Sequence, residues 1–264
     1  MCGIAGYSLT RSSRLDRTLA AQALLAGIAE RGADAVGYAH RAAGERVVVH
    51  KQRSGASALL DQVGIPQQAT EVLVHVRDYT KGHPTIAANN HPIRHGAVVG
   101  IHNGIIVNDD ELLADHGCAR VEPGMSVDSE AIFALAAHSR ADPRALEALR
   151  GSMATAWLDE REPSTLYLAR GVGRPLWLGR GREGTFFAST RLALEVVERF
   201  VGVKLDKREL DEGTFVALEH GAIAEKERFR PDLGFEEEPL PAVRAPKEAA
   251  FCLSRLATLV AAAS

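Results

Sequence analysis

Two hydrophobic textures alternate over the first 150 residues. Short apolar runs predict strands over residues 2–8, Tyr38–His40, Arg46–Lys51, Glu71–Val76 and Ala97–Ile101. In Val72-Leu73-Val74 the apolar residues are continuous, which predicts a strand buried on both faces. Helical spacing predicts helices over Leu15–Glu30, Asp109–His116, Ser126–Ser139 and Pro143–Leu149. In the first of these Leu19, Ala23, Leu24 and Ile28 form one stripe, and Gly32 caps the end after Arg31. A turn through Gly44 joins the second and third strands, and Lys81–Pro92 reads as loop. The strand from Ala97 runs directly into His102-Asn103-Gly104 and stops there.

From Met153 the pattern becomes mostly β. Strands are predicted at Met153–Leu158, Thr165–Ala169, Leu176–Leu178, Thr185–Ala188 and Thr214–Leu218, with a helix at Arg191–Phe200. Phe235–Pro246 is acidic and then proline-rich, which predicts a solvated linker. Lys247–Ala263 predicts a terminal helix packed on the parent domain. No internal repeat is visible. Strands from both halves of the chain, with helices between them, predict an α+β domain of two stacked sheets covered by helices.

The 264 residues are 46% hydrophobic and 25% charged, as in an ordinary globular chain. A net charge of −3 points to neither a nucleic-acid nor a membrane partner. Cys2, Cys118 and Cys252 are too few and too scattered for a disulfide framework, and with no signal peptide pattern the expected location is cytoplasmic. No apolar stretch reaches membrane-spanning length.

Candidate chemistry begins at Cys2. An initiator Met before a cysteine is expected to be removed, leaving a thiol nucleophile and an α-amine base on one residue. Asn103 and Gly104 offer a side-chain amide and a backbone N–H that could hold an oxyanion, or else a hairpin turn. Arg77 ends a buried strand, where it could grip a carboxylate or pair with Asp78 or Glu71. Ser126 reads as a helix N-cap, which puts Asp128 at a positive helix end, as an ammonium receptor or a dipole-matching carboxylate. The run from Arg31 to Gly37 reads as a turn that sets the approach to the Cys2 strand. His75, His83, His91, His95 and His102 lack zinc-motif spacing, so no metal and no cofactor is expected.

Taken together these segments resemble the glutaminase domain of class II, N-terminal-nucleophile glutamine amidotransferases. The matching residues are Cys2-Gly3-Ile4; Arg31-Gly32 with Asp34 and Gly37; His75, Arg77, Thr80 and Gly82; Asn89, His91 and Pro92; His102-Asn103-Gly104 with Asn108; and Asp128 with Glu130. Ala169-Arg170, Pro175-Leu176, Gly179 and Phe187-Ala188-Ser189 follow in family order. The resemblance implies an Ntn-hydrolase fold, a four-layer αββα sandwich, over residues 2–230, with 231–264 a linker and helical tail. It implies that Cys2 attacks the glutamine side-chain amide and Asn103 and Gly104 hold the oxyanion. Arg77 binds the α-carboxylate, Asp128 the α-ammonium, and Thr80 and His102 lie beside the substrate. Family members usually carry a synthase, isomerase or phosphoribosyltransferase domain, so a separate synthase partner is expected to take the ammonia. Asp78 and Lys81 depart from the family, which has an aromatic residue and a histidine there. Two rivals are an N-terminal-cysteine amidohydrolase acting on another amide and an inactive glutamine-binding regulatory subunit. Homo-oligomerisation and the identity of the acceptor stay open.

Overall fold

A computed structural model describes residues 2–237 and 245–263. The first half holds β1 (Gly3–Leu9), α1 (Arg17–Ile28), β2 (Ala35–Ala42), β3 (Val48–Gln52), α2 (Ala56–Leu59), β4 (Ala69–Arg77), β5 (Ile93–His95) and β6 (Val98–Ile106). Helices α3 (Asp109–Asp115) and α4 (Glu130–Ser139) follow. The second half holds β7 (Gly151–Asp159), β8 (Thr165–Arg170), β9 (Trp177–Gly181), β10 (Gly184–Ala188) and α5 (Arg191–Val201). Strands β11 (Asp206–Glu209), β12 (Thr214–Glu219) and β13 (Ala222–Arg228) and helix α6 (Pro246–Ala263) complete it.

The strands form a seven-stranded sheet, β11-β9-β10-β1-β4-β2-β3, and a six-stranded sheet, β13-β12-β8-β7-β6-β5. Three apolar cores separate four layers. Ile4, Leu73, Val99, Ile101 and Ala156 meet between the sheets. Val72, Val74, Leu24, Leu194, Cys252 and Leu256 pack the first sheet against α1, α5 and α6. Ile132, Phe133, Leu112 and Trp157 pack the second sheet against α3 and α4. Leu73 thus faces one core while Val72 and Val74 face another, which explains the continuous apolar run of β4. The layers run helix, sheet, sheet, helix, an αββα sandwich.

Alternation along the strands places the chemistry. Cys2 has the parity of Ile4, His75 and Arg77 that of Leu73, and Asn103 that of Val99 and Ile101. All therefore share the gap between the sheets.

Several boundaries differ from the sequence pattern. β6 does not stop at Asn103 but pairs with β7 through Ile106, in register Asn103↔Ala154 and Gly104↔Met153. Asn-Gly is no turn here. Gly104 holds φ at 145°, and a Cβ would stand 1.9 Å from the Ser152 carbonyl oxygen. The helix expected from Ser126 begins at Glu130, and Ser126 is not its cap. Asn89 Oδ1 accepts the N–H groups of Ser126 and Val127 at 2.8 and 3.1 Å, holding that segment out of the helix. Gly32 is extended at φ 177° rather than a left-handed cap. It is glycine because a Cβ would lie 2.4 Å from the Arg77 carbonyl. Pro143–Ala148 is a 3₁₀ helix. Strands β5, β11 and β13 carry too few apolar residues to show in the sequence.

The tail helix α6 lies on α1. Ala245 N–H donates to Glu30 O at 2.8 Å, and Glu248 accepts from Ser57 N–H at 2.8 Å. Residues 238–244 of the expected linker, and Met1, lie outside the described residues.

Candidate active site

Cys2 enters the site on a strand with neighbours on both sides, β10 and β4. Its carbonyl accepts from Arg31 Nε at 2.8 Å, and Ser189 and Ile4 exchange hydrogen bonds just beyond it. Arg31 therefore ties its own segment to the chain at Cys2. Cys2 Sγ donates to the Asp78 carbonyl at 3.3 Å. Burial pushes the thiol pKa up, while that hydrogen bond and the Arg77 charge act in the opposite direction.

Cys2, Arg77, Thr80, His102, Gly104 and Asp128 line one cleft. Four chain segments, from both sheets and the α4 approach, supply them. Asn103 lies fully buried in the inter-sheet layer, and neither its Oδ1 nor its Nδ2 has a hydrogen-bond partner. A buried amide left unpaired costs about 1–3 kcal/mol. Asn103 is not itself among the residues that line the cleft, although its neighbours His102 and Gly104 are.

Arg77 pairs with neither Asp78 nor Glu71; Glu71 instead holds the buried Arg41 at 2.6 Å. Arg77 Nη1 donates to Asn90 Oδ1 at 2.6 Å, and Nη2 donates to the carbonyls of Lys81, at 2.8 Å, and Gly82. Neutral acceptors satisfy this guanidinium, so a carboxylate could replace them with stronger bonds.

Asp128 is buried, with Oδ2 accepting the Ile106 N–H at 2.7 Å. Burial raises its pKa to about 6. The carboxyl thus braces β6 two residues beyond Gly104.

His102 has both ring nitrogens occupied. Nε2 lies 3.3 Å from the Ser152 carbonyl and Nδ1 2.9 Å from Ser129 Oγ. A carbonyl only accepts, so Nε2 carries the proton and Nδ1 accepts from Ser129. Burial lowers the His102 pKa to about 3, which keeps it neutral. It acts on the cleft as a rigid prop. His75 Nε2 donates to the His102 carbonyl at 3.1 Å across the two sheets, and its ring stacks on His91 at 4.2 Å.

Lys81, His91 and Ser129 also line the cleft. His91 stood in a family-like motif and Lys81 was a departure from one, both without a place in the expected site, and nothing in the local pattern of Ser129 marked it. Tyr79, Thr80 and Lys81, from the loop after Arg77, form one side of this cleft.

Among the described residues no group of three His, Cys, Asp or Glu side chains is placed to hold a metal, and no helix is long and apolar enough to cross a membrane.

The fold matches solved structures that share little of its sequence. A glutamine phosphoribosylpyrophosphate amidotransferase from B. subtilis superposes with a TM-score of 0.67 at 21% identity, over 86% of this chain and 49% of that one. A structure described as the allosteric regulatory enzyme of purine biosynthesis gives 0.68 at 21% identity. At this level of identity the likeness establishes a shared fold.

Sequence comparison narrows the class. Residues 75–196 match the family described as glutamine amidotransferase domain. The glutamine–fructose-6-phosphate aminotransferase of Shigella flexneri is 32% identical over 238 residues, covering 85% of this chain and 35% of its own length. That of Shouchella clausii is 28% identical over 216 residues. The chain spans about a third of the length of these relatives. It carries a domain of the class II glutamine amidotransferase family.

Proposed function

We propose that the cleft hydrolyses the side-chain amide of glutamine and passes the ammonia to a synthase-type partner. The meeting of Cys2, Arg77, Gly104 and Asp128 in one cleft carries this assignment. Glutamine has one carboxylate for Arg77, one ammonium for Asp128 and one amide for Cys2.

With Met1 removed, the α-amine of Cys2 accepts the thiol proton. Sγ then bonds to the amide carbon, and the oxygen gains charge that the Asn103 amide and Gly104 N–H receive. The C–N bond breaks as the ammonium of Cys2 returns its proton to the leaving nitrogen. Water, deprotonated by the same amine, attacks the thioester, releasing glutamate and restoring the thiol. Thr80 borders the substrate and His102 holds the strand neutral and fixed. The chain's relatives are named glutamine–fructose-6-phosphate aminotransferases, which supports an acceptor protein of synthase type. A cytoplasmic setting completes the proposal, in keeping with three free cysteines.

Cys2→Ala is expected to abolish ammonia release from glutamine while leaving the melting temperature near that of the parent. Wild-type turnover in that variant rules the mechanism out. Equal rates on asparagine or acylated amines point instead to a general amidohydrolase. Glutamine binding without turnover, with or without candidate partners, points to a regulatory subunit.

A further inference from the structure

Glu237 lies beyond the last strand, in the segment expected to be a solvated linker. Its carboxylate is nevertheless held at the body of the domain. Arg174 Nη2 donates to both of its oxygens, and Ser152 Oγ donates to Oε2 at 2.7 Å. Arg174 is 9% and Ser152 1% exposed, and Arg174 Nε has no partner. A guanidinium so buried needs an anion beside it.

Ser152 connects this pair to the reactive strand. Its hydroxyl accepts the Ile105 N–H at 3.2 Å, and its carbonyl oxygen lies 3.3 Å from His102 Nε2. That same carbonyl sets the limit on the size of residue 104. Removing Glu237 leaves Arg174 as an unpaired buried cation, and Ser152 then loses the partner that orients its hydroxyl. The residue next to the Gly104 N–H is the one bonded to that hydroxyl.

We propose that Arg174 and Ser152 form a carboxylate-binding subsite, filled by the chain's own Glu237, that holds the Asn103-Gly104 strand in reactive geometry. Glu237 is a positioning residue that touches no substrate. The inference rests on the glutaminase assignment for its kinetic consequence, but the subsite itself stands apart from it. Glu237 is partly exposed, so a small carboxylate can reach the place it occupies.

The test is rescue of Glu237→Ala by sodium acetate, with sodium chloride at equal ionic strength as control. Expected is a fall in kcat of about ten- to a hundred-fold, with KM for glutamine held within about two-fold. Acetate restores kcat and raises the melting temperature of the variant; chloride does neither. Glu237→Gln keeps the Ser152 bond and the side-chain shape, so it folds; it lowers kcat less and ignores acetate. Glu236→Ala, an exposed neighbour, changes nothing. Unchanged kcat in both Glu237 variants overturns the proposal, as does equal response to acetate and chloride. If the parent releases no ammonia, the glutaminase assignment fails. The acetate-dependent melting shift of Glu237→Ala then still decides the subsite.

Discussion

Lys81 Nζ lies 2.6 and 2.7 Å from the two carboxylate oxygens of Asp109, and Arg120 Nη2 reaches the same carboxylate at 2.6 Å. Arg120 Nη1 in turn donates to the Val127 carbonyl at 2.6 Å, next to Asp128. The loop that borders the cleft is thereby fastened to the segment that carries Val127 and Asp128, which also line it. Lys81 is about a third exposed, so its pair is partly screened and Arg120 remains to hold Asp109. Lys81→Met is expected to cost this fastening about 1 kcal/mol. Amide exchange over residues 78–86 should rise about five-fold, and raised salt should reproduce part of the rise only in the parent. Identical exchange in parent and variant would show that the ion pair restrains nothing.

Asp128 gives the cleft a pH dependence in the acid range. Only the carboxylate can receive an ammonium, and burial has raised its pKa to about 6. KM for glutamine should climb as pH falls through that value. Asp128→Asn should raise KM at neutral pH and flatten the profile. A parent KM that stays level from pH 7 to 5 separates Asp128 from ammonium binding.

Acid stability should follow the histidines. His75 and His102 are lowered to about 3 by burial, and His91 is driven down in the same way. An unfolded histidine titrates near 6.5, so between about 6.5 and 3 the unfolded chain binds more protons and stability falls with pH. Asp128 works in the other direction. Its raised pKa contributes stability that is complete below about 3.9 and lost as pH rises through about 6. Three groups outweigh one, so the urea midpoint should drop between pH 7 and 5, and Asp128→Asn should steepen the drop. A midpoint that rises on acidification contradicts this balance.

Asn103 should separate activity from stability. Its amide has no partner within the protein, so removing it forfeits no hydrogen bond of the folded chain. Asn103→Ala is expected to lower kcat by about a hundred- to a thousand-fold, as loss of an oxyanion donor does elsewhere. The melting temperature should hold or rise, because the unpaired buried amide is gone. A large loss of stability with kcat preserved would assign Asn103 to the framework.

Much of this arrangement is legible in the chain itself. Ile4, Leu73 and Ile101 are apolar at strand spacing, and Cys2, Arg77 and Asn103 share their parity, so the facing of the reactive groups follows from counting by twos. Local signals mislead where a distant residue decides. Asn103-Gly104 reads as a turn because nothing nearby shows that Met153 and Ala154 pair with it. Ser126 reads as a cap because Asn89, which takes its N–H, lies 37 residues earlier. Lys81 with Asp109, and Arg174 with Glu237, are likewise pairings that only the folded chain brings together. The αββα layering, by contrast, follows from the order of elements and the double burial of β4.

The place of β1 has a consequence for folding. Strand β1 is wedged between a strand from the seventies and one from the hundred-and-eighties. The chain around Cys2 therefore has no finished seat until both of those distant segments have docked beside it, so the cleft forms with the whole domain and not ahead of it.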